Sequence, residues 1–152
     1  MFAEIIGVDK SQRTIEKAKR LKIIQKGTND LTKAIPQADL LILAVPVRQI
    51  IKMLSKITSL MKKDAILCDV GSTKAEVFRV VENLKYKVDY IGLHPMGGTE
   101  KQGFNGADEN LFVNKTIMVF PSQNAQKSSL ERVVASIKKL KAKPLIMNVK
   151  EH

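Results

Sequence analysis

The sequence predicts a three-layer α/β fold in which a mostly parallel sheet carries helices on both faces. Short runs rich in Val, Ile and Leu alternate with longer amphipathic stretches, which is how successive β–α–β units read along a chain. The runs are apolar at consecutive positions, so both faces of each strand need cover. No internal repeat, low-complexity tract or linker interrupts the 152 residues, and a chain of that length buries a core without staples. One domain is the economical reading.

A first strand is expected in EIIGV, residues 4 to 8. Ser11 is placed to cap the helix that follows, which runs to about Leu21 with Ile15, Ala18 and Leu21 on one face. LLILAV (40 to 45) is the second strand; it turns through Pro46 into a helix from about Val47 to Met61, whose buried stripe is Ile50, Ile51, Leu54, Ile57, Leu60 and Met61. AILCDV (65 to 70) turns through Gly71 and Ser72 into a helix from about Thr73 to Asn83. VDYIGL (88 to 93) leads into a glycine-rich segment, and TIMVF (116 to 120) follows it. A last helix, from about Ser128 to Leu140, turns Leu130, Val133, Val134 and Ile137 inward before the closing strand PLIMNV (144 to 149).

Composition narrows the class of function. Hydrophobic residues make up 44% of the chain, too many for a disordered one. The 26 Lys plus Arg against 15 Asp plus Glu leave a net charge of +11, which would suit nucleic acid or an anionic ligand. These basic residues, mostly lysines, are spread over helix faces such as IEKAKRLK and SIKKLKAK, where a solvated face is the ordinary outcome. Five phenylalanines, two tyrosines and no tryptophan offer little for a base-stacking platform, so no nucleic-acid partner is expected. Cys68 is the sole cysteine and lies inside an apolar run, which predicts a buried, inert thiol and fits a reducing cytoplasm. No stretch reaches the roughly 18 apolar residues of a membrane span, and MFAEIIGVD has neither a basic start nor a long apolar core. A cytoplasmic protein with no membrane partner is expected.

In an open parallel sheet, ligands sit beyond the carboxyl ends of the strands. Four such ends carry conspicuous residues: Asp9, Val45 with Pro46, Gly71 with Ser72, and His94. Their shared location makes one crevice of them. Asp9 closes a strand ahead of a helix, as does the acidic residue that binds an adenosine ribose in Rossmann-like dinucleotide-binding folds; a plain helix-start carboxylate is the other reading. The fingerprint G-x-G-x-x-G that belongs about 20 residues before it has no room in the eight residues preceding Asp9, and occurs nowhere else in the chain. Gly71 lets the backbone turn sharply, and Ser72 offers a hydroxyl that serves a ligand, caps a helix, or does both. Lys74 reads either as facing an anion or as solvated. His94 is either a structural histidine or a proton acceptor near neutral pH. The other histidine, His152, is terminal, and with a single cysteine no metal site is expected.

Taken together, GVDKS, LLILAVPV, DVGSTK, GLHPMGGTEKQGF and GADENLFVNKTIMVFP resemble the nucleotide-binding domain of the prephenate and arogenate dehydrogenase family of tyrosine biosynthesis. The resemblance covers essentially the whole chain in the family's order, and the block from His94 to Pro121 is its most specific part. It implies a Rossmann-like fold and an NAD(P)-dependent oxidative decarboxylation of prephenate or arogenate. Hydride leaves the hydroxyl-bearing ring carbon for a nicotinamide, and the ring carboxylate departs as carbon dioxide. By the family's pattern His94 accepts the proton of that hydroxyl, Ser72 holds His94 and the nicotinamide in register, and Asp9, Val45, Pro46 and Gly71 line the cofactor. Gly98, Thr99 and Glu100 fall at the substrate. Asp9 favours NAD because a carboxylate repels a 2′-phosphate, while neighbouring Lys10 and Arg13 leave NADP open. Gly97 stands where the family commonly has alanine.

The departures set further expectations. Family members begin with a strand, the glycine-rich turn and a helix before the position of Phe2. They also continue past that of His152 into a helical domain that makes the homodimer. The chain reads as a partial dinucleotide-binding domain, residues 1 to 152, without the first strand, the glycine turn and the dimerisation domain. In the usual strand order 3-2-1-4-5-6 that strand is central, flanked by those ending in Asp9 and Val45. The two flanking strands then either keep open edges or pair with each other. Weak dinucleotide binding and no turnover by the isolated chain are expected; the alternative is a catalytically silent nucleotide-binding or interaction module.

Overall fold

Ser11 opens the first helix as its place in the sequence suggests: its hydroxyl oxygen accepts from the Thr14 N–H at 3.3 Å. The computed structural model describes residues 4–98 and 103–149. In chain order these form β1 (Ile6–Val8), α1 (Gln12–Arg20), β2 (Lys26–Thr28), α2 (Leu31–Ala34), β3 (Leu40–Leu43), α3 (Val47–Leu60), β4 (Ile66–Asp69), α4 (Ala75–Glu82), β5 (Asp89–Pro95), β6 (Thr116–Pro121), α5 (Lys127–Lys139) and β7 (Lys143–Ile146), with 3₁₀ turns at Ile35–Gln37 and Gly103–Gly106. All six expected strands and four expected helices are present, with ends moved by a few residues. β2 and α2 are additional. The KGT of β2 has no apolar run to announce it and is a strand because it pairs with β1, Ile6 opposite Lys26 and Val8 opposite Thr28.

The strands form two sheets rather than one. β1 and β2 make a parallel pair, and β3-β4-β5-β6-β7 make a five-stranded sheet that is parallel except between β5 and β6. Of the two outcomes expected for the strands ending in Asp9 and Val45, pairing with each other does not occur: among the described residues β1 and β3 belong to different sheets. The connection between them explains why. α2 packs on β1 and β2, and the turn after it drives Ile35, 1% exposed, into the core beneath α3, fixing the chain before β3 begins.

Alternate residues of β4 and β5 face two cores. Leu67 and Tyr90 join Ile50, Leu54, Ile57, Val77 and Phe78 under α3 and α4. Ile66, Cys68, Ile91 and Leu93 join Val133 and Ile137 under α5. Helices therefore cover both faces of the central strands, which is why those strands are apolar throughout. β3 is less well covered. Ile42, in register with Cys68, is 49% exposed although it lies mid-strand. Among the described residues no helix is long and apolar enough to cross a membrane.

Candidate functional site

β4 ends on a carboxylate that the fold keeps from water. Asp69 is 0% exposed, and three donors converge on it. Its Oδ1 accepts from the Lys74 ammonium at 2.6 Å and from the Gly71 N–H at 2.8 Å, while Oδ2 accepts from the Tyr90 hydroxyl. Lys74 is 1% exposed and Tyr90 0%. The Tyr90 ring meets Phe78 edge-on with centroids 5.0 Å apart, so α4 seals the cluster from one side. Burial sets the protonation energetics. It pulls the Lys74 ammonium below its ordinary range, against the opposing pull of Asp69, and pushes the Tyr90 phenol up. Burial also raises the neighbouring Cys68 thiol to about 12, so this cysteine is buried and inert as expected.

The cluster corrects the reading of Lys74 as a solvated lysine or one facing a ligand anion: its anion is the protein's own Asp69. Neither Asp69 nor Tyr90 stands out in the sequence as part of a site. The available signal was an aspartate closing an otherwise apolar run, five residues before a lysine at the start of a helix.

Ser72 sits on the turn that this cluster closes. It is exposed and makes no hydrogen bond among the described residues. It does not cap α4, whose cap position is Lys74 and has no side-chain cap bond, so the capping reading of Ser72 fails. Gly71 is required by close approach. A Cβ there would stand 2.8 Å from Val47 Cγ2 and 3.0 Å from Asp69 Oδ1. The Gly71 turn is thereby pressed against the start of α3, immediately after Val45 and Pro46, which are both exposed.

β5 runs parallel to β4 with Gly92 opposite Asp69. Ser72 and His94 thus leave the carboxyl ends of adjacent strands, three residues past Asp69 and two past Gly92. His94 is half-buried and lies opposite Met118 of β6. Beyond it, no atom of the described residues lies within 4 Å of the place a Gly98 Cβ would take, whereas at Gly97 a Cβ would come 3.0 Å from Lys115 Cγ. An alanine at 97 therefore needs Lys115 to give way. Thr99 and Glu100 lie outside the described residues.

Asp9 belongs to the other sheet. Its Oδ1 accepts from the Ser11 N–H at 2.7 Å, and its own N–H donates to the Thr28 carbonyl, so it orders the entry to α1. The segment leaving β5 comes back to that helix: the Phe104 ring lies 4.7 Å from the Lys17 ammonium. A cavity of about 480 Å³ lies elsewhere, among Ala65, Val88 and Gln126 at the amino ends of β4 and β5. The concave volume and the Ser72–His94 edge are therefore at opposite ends of the sheet.

Residues 1–146 match the family model for the prephenate dehydrogenase nucleotide-binding domain. The chain is 35% identical over 152 residues to the prephenate dehydrogenase of Lactococcus lactis subsp. cremoris, an alignment that takes in 98% of this chain and 40% of the relative. Among solved structures it resembles Synechocystis arogenate dehydrogenase (30% identity, TM-score 0.90, 98% of this chain and 52% of that one). It also resembles Aquifex aeolicus prephenate dehydrogenase in complex with hydroxyphenyl propionate and NAD+ (28% identity, TM-score 0.89, 100% of this chain and 53% of that one). The chain thus spans less than half the length of the curated relative and about half that of the solved ones.

Proposed function

The chain belongs to the prephenate dehydrogenase family as its nucleotide-binding domain, and from that premise we propose that it is the cofactor-binding half of an NAD-dependent dehydrogenase of prephenate or arogenate. The observation that carries this reading is the parallel register of β4 and β5, which puts the Ser72 turn and His94 at neighbouring carboxyl ends of the sheet, where open α/β sheets bind ligands.

His94 accepts a hydrogen bond from the ring hydroxyl of the substrate and takes its proton as the carbonyl forms. A bound nicotinamide supplies the hydride acceptor. Loss of the ring carboxylate as carbon dioxide leaves its bonding electrons in the ring, which becomes aromatic. Ser72, exposed and unspent on capping, holds the imidazole and the nicotinamide in register. Val45, Pro46 and Gly71 border the same edge, Gly98 leaves room for substrate, and Thr99 and Glu100 contact it. Asp9 binds the adenosine ribose, and its negative charge selects NAD over NADP. The residues fit the two ends of a dinucleotide better than its middle, because no glycine-rich turn stands among them to cradle the pyrophosphate. Weak binding by the chain alone follows, and no turnover, because the solved relatives are about twice as long.

The test joins these residues to the flanking segments of the Lactococcus lactis relative and follows NADH formation with prephenate and with arogenate. His94→Ala is expected to lower kcat by about 10²–10⁴, the usual worth of a general base; an unchanged rate rejects the assignment. A silent nucleotide-binding or interaction module remains the second reading, favoured by the lack of a G-x-G-x-x-G turn among these residues. It predicts that even the joined protein produces no NADH.

A further inference from the structure

We infer that Asp69, Lys74 and Tyr90 are positioning residues whose task is to hold the turn carrying Ser72 while leaving its hydroxyl free. The inference rests on the dehydrogenase reading for the use of Ser72, and on geometry alone for the hold.

A fold that needed only to start α4 had an inexpensive means at hand. Ser72 and Thr73 both precede the helix, and either hydroxyl is a good cap. Neither caps it. The chain instead buries an ion pair with both side chains at 0% exposure, an arrangement that rarely repays its desolvation in stability. What the arrangement does achieve is local. Asp69 Oδ1 takes the Gly71 N–H on the near side of Ser72 and the Lys74 ammonium on the far side, so one oxygen clamps both ends of the turn. The Tyr90 hydroxyl fixes the other oxygen and stops the carboxylate from rotating.

Gly92 completes the clamp. A Cβ there would meet Phe78 Cε2 at 3.0 Å, and Lys74 Cδ and the Tyr90 hydroxyl at 3.2 Å, so the lysine stem lies directly over β5 two residues before His94. The same cluster therefore ties the Ser72 turn to the strand that carries His94. The Ser72 turn and the strand carrying His94 thus share one buried base, and the Ser72 hydroxyl is not spent on capping.

The experiment is residue-resolved amide exchange on the 152-residue chain, comparing the unsubstituted protein with Lys74→Met, Tyr90→Phe and Ser72→Ala. Leu67 and Ile91 in the middle of β4 and β5 report global stability. If the cluster clamps the turn, Lys74→Met accelerates exchange at Gly71, whose N–H Asp69 accepts, at least tenfold more than at Leu67 and Ile91. Tyr90→Phe keeps the ring packing and does the same to a smaller extent, which serves if Lys74→Met does not fold. Ser72→Ala leaves Gly71 protection unchanged. Equal acceleration at the turn and at Leu67 and Ile91 overturns the inference, since the cluster is then ordinary core. Titration with NAD+ of the protein joined to the flanking segments of the Lactococcus lactis relative separates the two claims. Shifts of the Ser72 and His94 amides that are lost in Lys74→Met support both. A turn that responds as described but shows no NAD+ shifts upholds the clamp and rejects the dehydrogenase reading.

Discussion

Lys74→Met keeps most of the buried stem and removes only the ammonium, so its effect on stability isolates the ion pair from the packing around it. Asp69 would still hold the Gly71 N–H and the Tyr90 hydroxyl. The expected loss is therefore about 2–3 kcal/mol, below the roughly 3–5 kcal/mol seen when a buried charge is stripped of its partner. Asp69→Asn should reach that higher range, because it leaves a fully buried ammonium with a neutral amide and turns a donor group toward other donors. Tyr90→Phe removes one bond to a charged acceptor and retains the edge contact with Phe78, for a loss of about 1.5 kcal/mol. The diagnostic case is Asp69→Asn with Lys74→Met. With no ammonium left to strand, the pair should be less damaging than Asp69→Asn alone, a sign that additive contributions cannot produce. Urea unfolding followed by circular dichroism measures all four. A Lys74→Met loss within about 0.5 kcal/mol, typical of surface changes, or additivity in the double variant, would refute the buried pair.

Alkali should destabilise the domain in a way that traces to Cys68. The folded thiol is pushed from 9.0 to about 12, so the folded state keeps a proton that the unfolded chain gives up. Its contribution is complete below pH 9 and declines as pH rises toward 12, at up to about 1.4 kcal/mol per unit. Tyr90, also raised, adds in the same direction above 10.0. Lys74 is lowered and opposes them, gaining stability as pH climbs toward 10.5. Urea midpoints between pH 8 and 11 should fall less steeply for Cys68→Val; identical slopes would show that the thiol is not the cause. At the β3 edge, Ile42→Lys should reduce self-association in sedimentation velocity and change stability by no more than about 0.5 kcal/mol, since this side chain is 49% exposed. A wild-type chain that is already monomeric at high concentration would contradict that.

Strand and helix identity was legible wherever the chain buries a continuous stripe. The Ile50, Leu54 and Ile57 spacing gives α3, and ILCD gives β4 with every residue buried. β2 was not legible, because a three-residue strand reading KGT owes its conformation to β1 rather than to its own composition. The direction of β6 was not legible either: nothing within TIMVF distinguishes antiparallel from parallel pairing with β5. At the proposed site, Ser72 and His94 could be marked as candidates because turns and strand ends are local features. The partners of Asp69 could not, since Lys74 arrives from the next helix and Tyr90 from the next strand. A lysine in an otherwise unremarkable helix start looks solvated until the fold brings a buried carboxylate to it.

The two ends of the proposed cofactor crevice therefore differ in how firmly they are built. Ser72 and His94 stand on the five-stranded sheet, over strands buried on both faces and tied together by Asp69. Asp9 follows β1 of a parallel pair of three-residue strands, and isolated two-stranded pairs are marginal in water. What steadies that pair is packing from α1 and α2. Opening of β1 and β2 thus costs less free energy than opening of β4 and β5, and would detach Asp9 while leaving the Ser72 turn intact. A ligand that relies on Asp9 must supply the ordering energy of that pair when it binds, whereas one that reaches only Ser72 and His94 need not. On the proposed reading, the nicotinamide end of the dinucleotide is the pre-organised end, and the adenosine end is where affinity is lost.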